Sequence, residues 1–171
     1  IFIRPSQKSA EARVVVHADF HNFAKQKEIN RNNVARLMSI DYGKRRTGVA
    51  VSDPLQIIAG GLETVDTPKL LDYIKAYTAK ETVERIIIGM PTQPNGVPSE
   101  NAGRVKEFAA NLKKAVNIPV EFYDERFTSV LAHRAMLDGG LRKKERQNKA
   151  LVDKISATII LQSYMESCNS K

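Results

Sequence analysis

The sequence predicts an α/β domain in which a mixed β-sheet is flanked by helices. Short apolar runs alternate with amphipathic segments, and glycine or proline stands at most of their junctions. One run of three isoleucines, Ile86–Ile88, is uniformly apolar, as expected of a strand buried on both faces. The 171 residues suffice for one domain with a substantial core. We expect neither a signal peptide nor a membrane span, because no apolar run has the required length.

Three strands are predicted before the first helix. Residues 37–41 and 47–52 are apolar runs separated by a short polar turn. Residues 56–65 form the third predicted strand, and Gly60–Gly61 within it indicates a bulge.

Helices and strands alternate in the remainder of the chain. Pro68, at an early helical position, opens a helix that extends to about Lys80. Ser99 is the expected cap of a second helix, which ends near Val116. The other predicted elements are a strand at 85–89, a loop at 91–98, a strand at 120–123, a helix from Thr128 to Gly139–Gly140 and a long helix at 148–166. Strands in succession followed by alternating elements predict a mixed sheet.

The formal net charge of +8 favours a polyanionic partner such as nucleic acid, although many soluble proteins are mildly basic without binding one. Residues 1–36 carry much of the excess and lack sustained periodicity. We interpret them as a poorly specified N-terminal extension before a domain at 37–171; the alternative is a helix or strand that packs on the core. A single cysteine, Cys168, excludes a disulfide framework and favours a reducing, cytoplasmic compartment.

Acidic residues stand in segments that otherwise read as buried. Asp41 ends the first strand, Asp124–Glu125 ends the fifth, and Asp153 lies on an apolar helix. A buried carboxylate needs a cation, hydrogen bonds or a proton, and one divalent metal ion would satisfy several. Each acid also has an ordinary alternative. Asp124 could cap the strand end, Glu125 could pair with Arg126, and Asp153 could pair with Lys149 or Lys154.

Four segments, in order along the chain, resemble the motifs of one family. They are residues 39–54 (SIDYGKRRTGVAVSDP), residues 87–91 followed by Asn95–Gly96, residues 123–129 (YDERFTS), and residues 152–157 followed by 160–164. The family is YqgF/RuvX, whose members are described as Holliday-junction resolvases and as pre-16S rRNA nucleases. The resemblance extends from Leu37 to about Glu166 and leaves residues 1–36 outside. Phe127 is a small departure, since leucine or tyrosine is common there.

The resemblance implies a ribonuclease-H-like fold, with an antiparallel meander of three strands followed by parallel strands. It also implies catalytic acids at Asp41, Glu125 and Asp153, which would bind Mg²⁺ or Mn²⁺ through one or two ions. Because neighbouring residues of a strand face opposite ways, we favour Glu125 as the ligand and Asp124 as its support.

Basic residues flank these acids. Lys44, Arg45 and Arg46 occupy the first turn, where they could hold phosphates or form a solvated turn. Arg126 could contact phosphate or fix a carboxylate in a bidentate pair. A basic loop before the last helix suits a substrate clamp, although a solvated linker is equally compatible. Its basic residues are Arg142, Lys143, Lys144, Arg146 and Lys149.

The expected function is hydrolysis of phosphodiester bonds in structured nucleic acid. The resemblance favours processing of the 5′ end of pre-16S rRNA, with a four-way DNA junction as the alternative. Symmetric junction cleavage needs two sites and therefore a homodimer, whereas RNA processing needs only a monomer. A non-catalytic ribosome-assembly factor is a further alternative. An actin-like ATPase or kinase is disfavoured, because those enzymes enclose nucleotide between two lobes.

Overall fold

The computed structural model describes residues 34–91, 101–124 and 147–169. Backbone contacts divide the chain between Val34 and Ala35, and the elements below all belong to the unit Ala35–Lys171. In these ranges no helix is both long enough and apolar enough to cross a membrane. The predicted helix that starts at Thr128 and the Ser99 cap lie outside the described residues.

The described strands form one five-stranded sheet in the order β3-β2-β1-β4-β5. Their bounds are β1 Arg36–Tyr42, β2 Arg46–Ser52, β3 Ala59–Asp66, β4 Val83–Met90 and β5 Val120–Asp124. The first three strands pair antiparallel, while β4 lies parallel to both β1 and β5. The predicted mixed sheet is therefore confirmed, with the ribonuclease-H-like arrangement that the family resemblance implied.

Three described α-helices flank the sheet: α1 Leu70–Thr78, α2 Ala102–Ala115 and α3 Lys149–Asn169. A 3-10 turn, Thr67–Lys69, precedes α1 and contains Pro68. A proline is compatible with a first helical turn because the N–H that it lacks would have no partner there. The helix predicted from Pro68 is confirmed, with the 3-10 turn as its opening.

The third strand starts three residues later than predicted. Residues 53–58 form a turn because the Asp53 carboxylate accepts hydrogen bonds from the backbone N–H groups of Ile57 and Ile58, at 2.6 and 2.7 Å. Gln56 adopts a φ of 55°, which is incompatible with an extended strand. The predicted bulge is confirmed at Leu62, since Val49 and Ala50 pair with Glu63 and Gly61 respectively.

The two faces of the sheet carry separate apolar clusters. Met38, Ile40, Ile86 and Ile88 pack with α1 and α2 on one face, which we call the α1/α2 face. On the other face, the α3 face, Ile87 belongs to a smaller cluster with residues of α3. The uniform isoleucine run follows from this arrangement, because a central parallel strand is covered on both sides.

Candidate active site

The carboxyl end of β1 and the start of α3 bring two of the predicted acids together. Leu37 and Ser39 face α3, and alternation along β1 places Asp41 on the same face. The Ser39 hydroxyl donates a hydrogen bond of 2.6 Å to the carbonyl oxygen of Ala157. Asp153 lies one helical turn before Ala157. Because α3 runs antiparallel to β1, this turn places Asp153 beside Asp41.

Gly48 makes this close approach possible. It pairs with Asp41 across β1 and β2 and lies directly beneath α3. A Cβ atom at this position would clash with the backbone carbonyl of Asp153. An isolated glycine inside an apolar strand indicates a close backbone approach. That signal was present in residues 47–52, but the sequence did not reveal which segment approaches.

The Asp41 carboxyl is held where ionisation is unfavourable. Burial, and secondarily the negative charge of Asp153, raise the pKa of Asp41 from 3.8 to about 6. Within the described ranges, no group donates a hydrogen bond to this carboxylate or forms an ion pair with it. A carboxylate so placed, with a second acid beside it, creates a local excess of negative charge that a cation would neutralise.

Asp153 has an ion-pair partner that the sequence did not predict. Arg46 Nε lies 3.1 Å from Asp153 Oδ2, and the two side chains are 39% and 28% exposed. The alternative that we considered for Asp153 was an ion pair with Lys149 or Lys154, its neighbours along the helix, and the described ion pair is formed with Arg46 instead. Arg46 begins β2 on the α3 face, two residues before Gly48, and only the tertiary fold places it beside Asp153.

The first turn is braced from the start of the 3-10 turn. Thr67 Oγ1 donates a hydrogen bond of 2.8 Å to the carbonyl of Gly43 and lies 3.0 Å from Thr47 Oγ1. The N–H of Thr67 also donates to the carbonyl of Arg45, at 3.0 Å. Sequence reasoning missed Thr67, since nothing in its local sequence marks a contact more than twenty residues away. These bonds fix the backbone that carries Lys44 and Arg45, whose side chains are exposed.

Two carboxylates with few protein partners are a donor set that suits Mg²⁺ or Mn²⁺. In the part of the chain that the structure describes, no three His, Cys, Asp or Glu side chains converge. The residues present therefore fit a divalent ion in part, through Asp41 and Asp153, and water, substrate or a further protein ligand would complete its coordination. Glu125 lies outside the described residues.

The end of β5 bears on the choice between Asp124 and Glu125. Tyr123 packs on the α3 face against Tyr164, with ring centroids 6.0 Å apart. Gly89 of β4 pairs with Tyr123, so β5 ends near the level of Asp41. Alternation directs Asp124 to the opposite face from Tyr123. Asp124 therefore lies on the face away from Asp41, and Glu125 lies outside the described residues.

The remaining predicted nucleic-acid contacts fall in two groups. Lys44, Arg45 and Arg46 lie at the turn beside the acids, as predicted from their position in the sequence. A second group lies outside the described residues and consists of Arg126, Arg142, Lys143, Lys144 and Arg146. The predicted loop motif Asn95–Gly96 also lies outside them.

Comparisons with known proteins agree on one family. A family model described as "RuvX: Holliday junction resolvase" matches residues 35–167. A protein of Phocaeicola vulgatus named "Putative pre-16S rRNA nuclease" is 66% identical over 135 residues, which are 78% of this chain and 97% of that protein. A relative of the same name from Flavobacterium johnsoniae is 53% identical over 133 residues, or 77% of this chain and 96% of its own length.

A solved structure is also similar to this chain. It is T. thermophilus RuvC in complex with a Holliday junction substrate, with 17% sequence identity and a TM-score of 0.47. The match covers 77% of this chain and 96% of that one. Residues 1–34 lie outside the family match.

Proposed function

The chain belongs to the RuvX family, and from this membership we propose that it is a metal-dependent nuclease that hydrolyses phosphodiester bonds in structured nucleic acid. The observation that carries the proposal is the Asp41 carboxylate, which is partly buried, lies beside Asp153 and has no cation of its own among the described residues. A desolvated carboxylate beside a second acid is typical of a functional site.

Asp41, Asp153 and Glu125 are the proposed ligands of Mg²⁺ or Mn²⁺, with Asp124 as a supporting residue. A divalent ion held there would activate water and stabilise charge on the leaving oxygen. The contribution of the protein is to fix the ligands. Gly48 admits α3, and the hydrogen bond from Ser39 to Ala157 sets the position of the helix that carries Asp153.

The basic residues at the first turn are the proposed phosphate contacts. Lys44 and Arg45 are exposed on a turn that Thr67 holds in place, so their charges are available to a polyanion beside the acids. Arg126, Arg142, Lys143, Lys144 and Arg146 are proposed as further phosphate contacts. A basic surface beside the acids positions the backbone and does not read base sequence.

The proposed substrate is the 5′ end of pre-16S rRNA, processed in the cytoplasm during ribosome biogenesis. The name of the relatives, "Putative pre-16S rRNA nuclease", supports pre-16S rRNA as the substrate. The description of the family model favours a second candidate, a four-way DNA junction. The first requires only a monomer, and the second requires a homodimer with two sites. Residues 1–34 are proposed to be dispensable for either activity, because the family match begins at residue 35. Ala35 and Arg36, which we assigned to the extension, belong to the unit that contains the sheet, and Arg36 begins β1.

A cleavage assay tests the proposal and separates the two substrates. Labelled precursor small-subunit rRNA and a labelled four-way DNA junction are offered side by side with Mg²⁺ or Mn²⁺. We expect cleavage that EDTA stops and that Asp41→Asn abolishes. The matched control is Asp72→Asn, which removes one carboxylate from an exposed position on α1.

Three results would decide against the proposal. Cleavage that persists in EDTA would exclude the metal-dependent mechanism. Undiminished cleavage by Asp41→Asn would exclude this site. Binding without cleavage by the unaltered protein, with either metal, would favour the non-catalytic assembly factor.

A further inference from the structure

Arg46 is the one described cation that contacts the acids of the proposed site. Its Nε donates to Asp153 Oδ2 at 3.1 Å. The nearest acid across β3 is Asp66, which pairs in register with Arg46 and forms its own ion pair with Lys69 at 3.5 Å. Within the described ranges the other guanidinium nitrogens of Arg46 donate no hydrogen bond, so most of its donors remain available to a ligand.

The charges of Asp41, Asp153 and Arg46 do not balance. Asp41 and Asp153 carry two negative charges when ionised, and Arg46 supplies one positive charge, through Asp153 alone. A divalent ion bound by both carboxylates would change the net charge of these groups from negative to positive. Arg46 and the ion would then compete for the same carboxylate, because each cation lowers the attraction of Asp153 for the other.

We propose that Arg46 is an exchangeable cation, which holds Asp153 in the metal-free protein and is transferred to a substrate phosphate when the metal ion binds. This inference rests on the proposed function, since it assumes that Asp41 and Asp153 bind the metal. Planar guanidinium groups bind carboxylates and phosphates with the same fork of donors, so the exchange needs no change in chemistry. Arg46 is partly exposed and lies at a strand end, where its side chain can turn towards solvent.

The exchange makes metal and polyanion binding mutually reinforcing. A metal ion that displaces Arg46 frees a cation for phosphate, and a phosphate that engages Arg46 frees Asp153 for the metal. Because coupling between two ligands is reciprocal, each should tighten the binding of the other by the same factor. A residue that merely braced α3 would produce no such coupling.

The first experiment measures Mn²⁺ affinity by isothermal titration, without nucleic acid, for the unaltered protein, Arg46→Gln, Arg46→Lys and Arg45→Gln. We expect Arg46→Gln to bind Mn²⁺ about fivefold more tightly, since a partly exposed ion pair no longer competes. Arg46→Lys keeps the competing charge and should resemble the unaltered protein. Arg45→Gln removes the same charge from the adjacent exposed position and should change the affinity less than about twofold.

The second experiment measures the affinity for a short RNA duplex with and without Ca²⁺. Ca²⁺ is chosen because we expect it to limit turnover. We expect Ca²⁺ to tighten duplex binding by the unaltered protein, and we expect this enhancement to be lost in Arg46→Gln. Thermal melting of each variant without metal reports whether the fold is intact.

The outcomes separate this inference from the proposed function. Equal or weaker Mn²⁺ binding by a folded Arg46→Gln variant would overturn the exchange and leave the metal site standing. An enhancement by Ca²⁺ that survives in Arg46→Gln would also overturn it. No Mn²⁺ binding by the unaltered protein would overturn the proposed metal site, and the exchange with it.

Discussion

The two faces of the sheet differ in the polar and charged residues that they carry. On the α1/α2 face, side chains from all five strands and both helices form one continuous apolar cluster. On the α3 face the cluster is smaller, and the β1–β2 part of that face also carries Ser39, Asp41, Arg46 and Gly48. One side of the same sheet therefore supplies most of the apolar burial, and the other positions charged groups at some cost in packing.

The largest expected effect on stability belongs to the α1/α2 face. Ile88→Ala removes a fully buried side chain from the interior strand β4. We expect the free energy of unfolding to fall by about 2–5 kcal/mol, through lost burial and the cavity left behind. Urea denaturation measures the change. A loss below 1 kcal/mol would mean that this face contributes less to stability than its continuous cluster indicates.

A smaller but more specific effect is expected for Gly48→Ala on the α3 face. The added methyl group meets the backbone carbonyl of Asp153, so α3 must shift away from β2. We expect a loss of about 1–3 kcal/mol, typical of overpacking, together with nearly complete loss of cleavage. Denaturation and the cleavage assay are run on the same samples. The matched control is Gly103→Ala in α2, where an added Cβ meets nothing within 4 Å. Full activity in Gly48→Ala would show that the approach of α3 is not needed for the site.

The smallest expected change in the free energy of unfolding is an increase. Asp41→Asn removes a carboxyl whose pKa is raised to about 6 by burial and by Asp153. The folded protein binds this proton more tightly than the unfolded chain does, so the associated stability is complete below pH 3.8 and is lost as pH rises through about 6. A shift of about two pKa units corresponds to about 3 kcal/mol when undiscounted. Because Asp41 is only partly buried and solvent screens its charge, we expect Asp41→Asn to be more stable by about 1–2 kcal/mol without metal at neutral pH.

Denaturation of both proteins between pH 4 and pH 7.5, about the range in which Asp41 titrates, measures this difference. The stabilising effect of the substitution should grow over that interval and then level off. Parallel curves for the two proteins would mean that Asp41 finds a compensating cation in the folded chain, and would weaken the contrast between the faces.

Local patterns were sufficient to predict most of the framework. The five strands, the helix after Pro68 and the acids at Asp41 and Asp153 follow from periodicity, turn residues and the cost of burying charge. The start of β3 was predicted too early, because the apolar residues Ile57 and Ile58 resemble a strand while the Asp53 side chain binds their backbone N–H groups in a turn.

The contacts that complete the site could not be predicted in the same way. Arg46 and Asp153 are separated by 107 positions, and Thr67 lies 24 positions from Gly43. Such pairs depend on strand order and on the path of α3, neither of which is encoded in the residues beside them. The family resemblance supplied the identity of the acids, and the tertiary fold supplied the partner of Asp153.

Asp153 lies only four residues after Lys149, the first residue of α3. Besides the contacts with Gly48 and Arg46, hydrogen bonds hold this end among the described residues. The Asn148 carbonyl accepts a hydrogen bond from Val152 at 3.0 Å, and the Thr64 hydroxyl binds the carbonyl of Ala150 at 2.6 Å. The later turns pack their side chains into the apolar cluster. Because helix ends open more readily than packed interiors, we expect the position of Asp153 to respond to local opening of the first turns of α3 as well as to global unfolding.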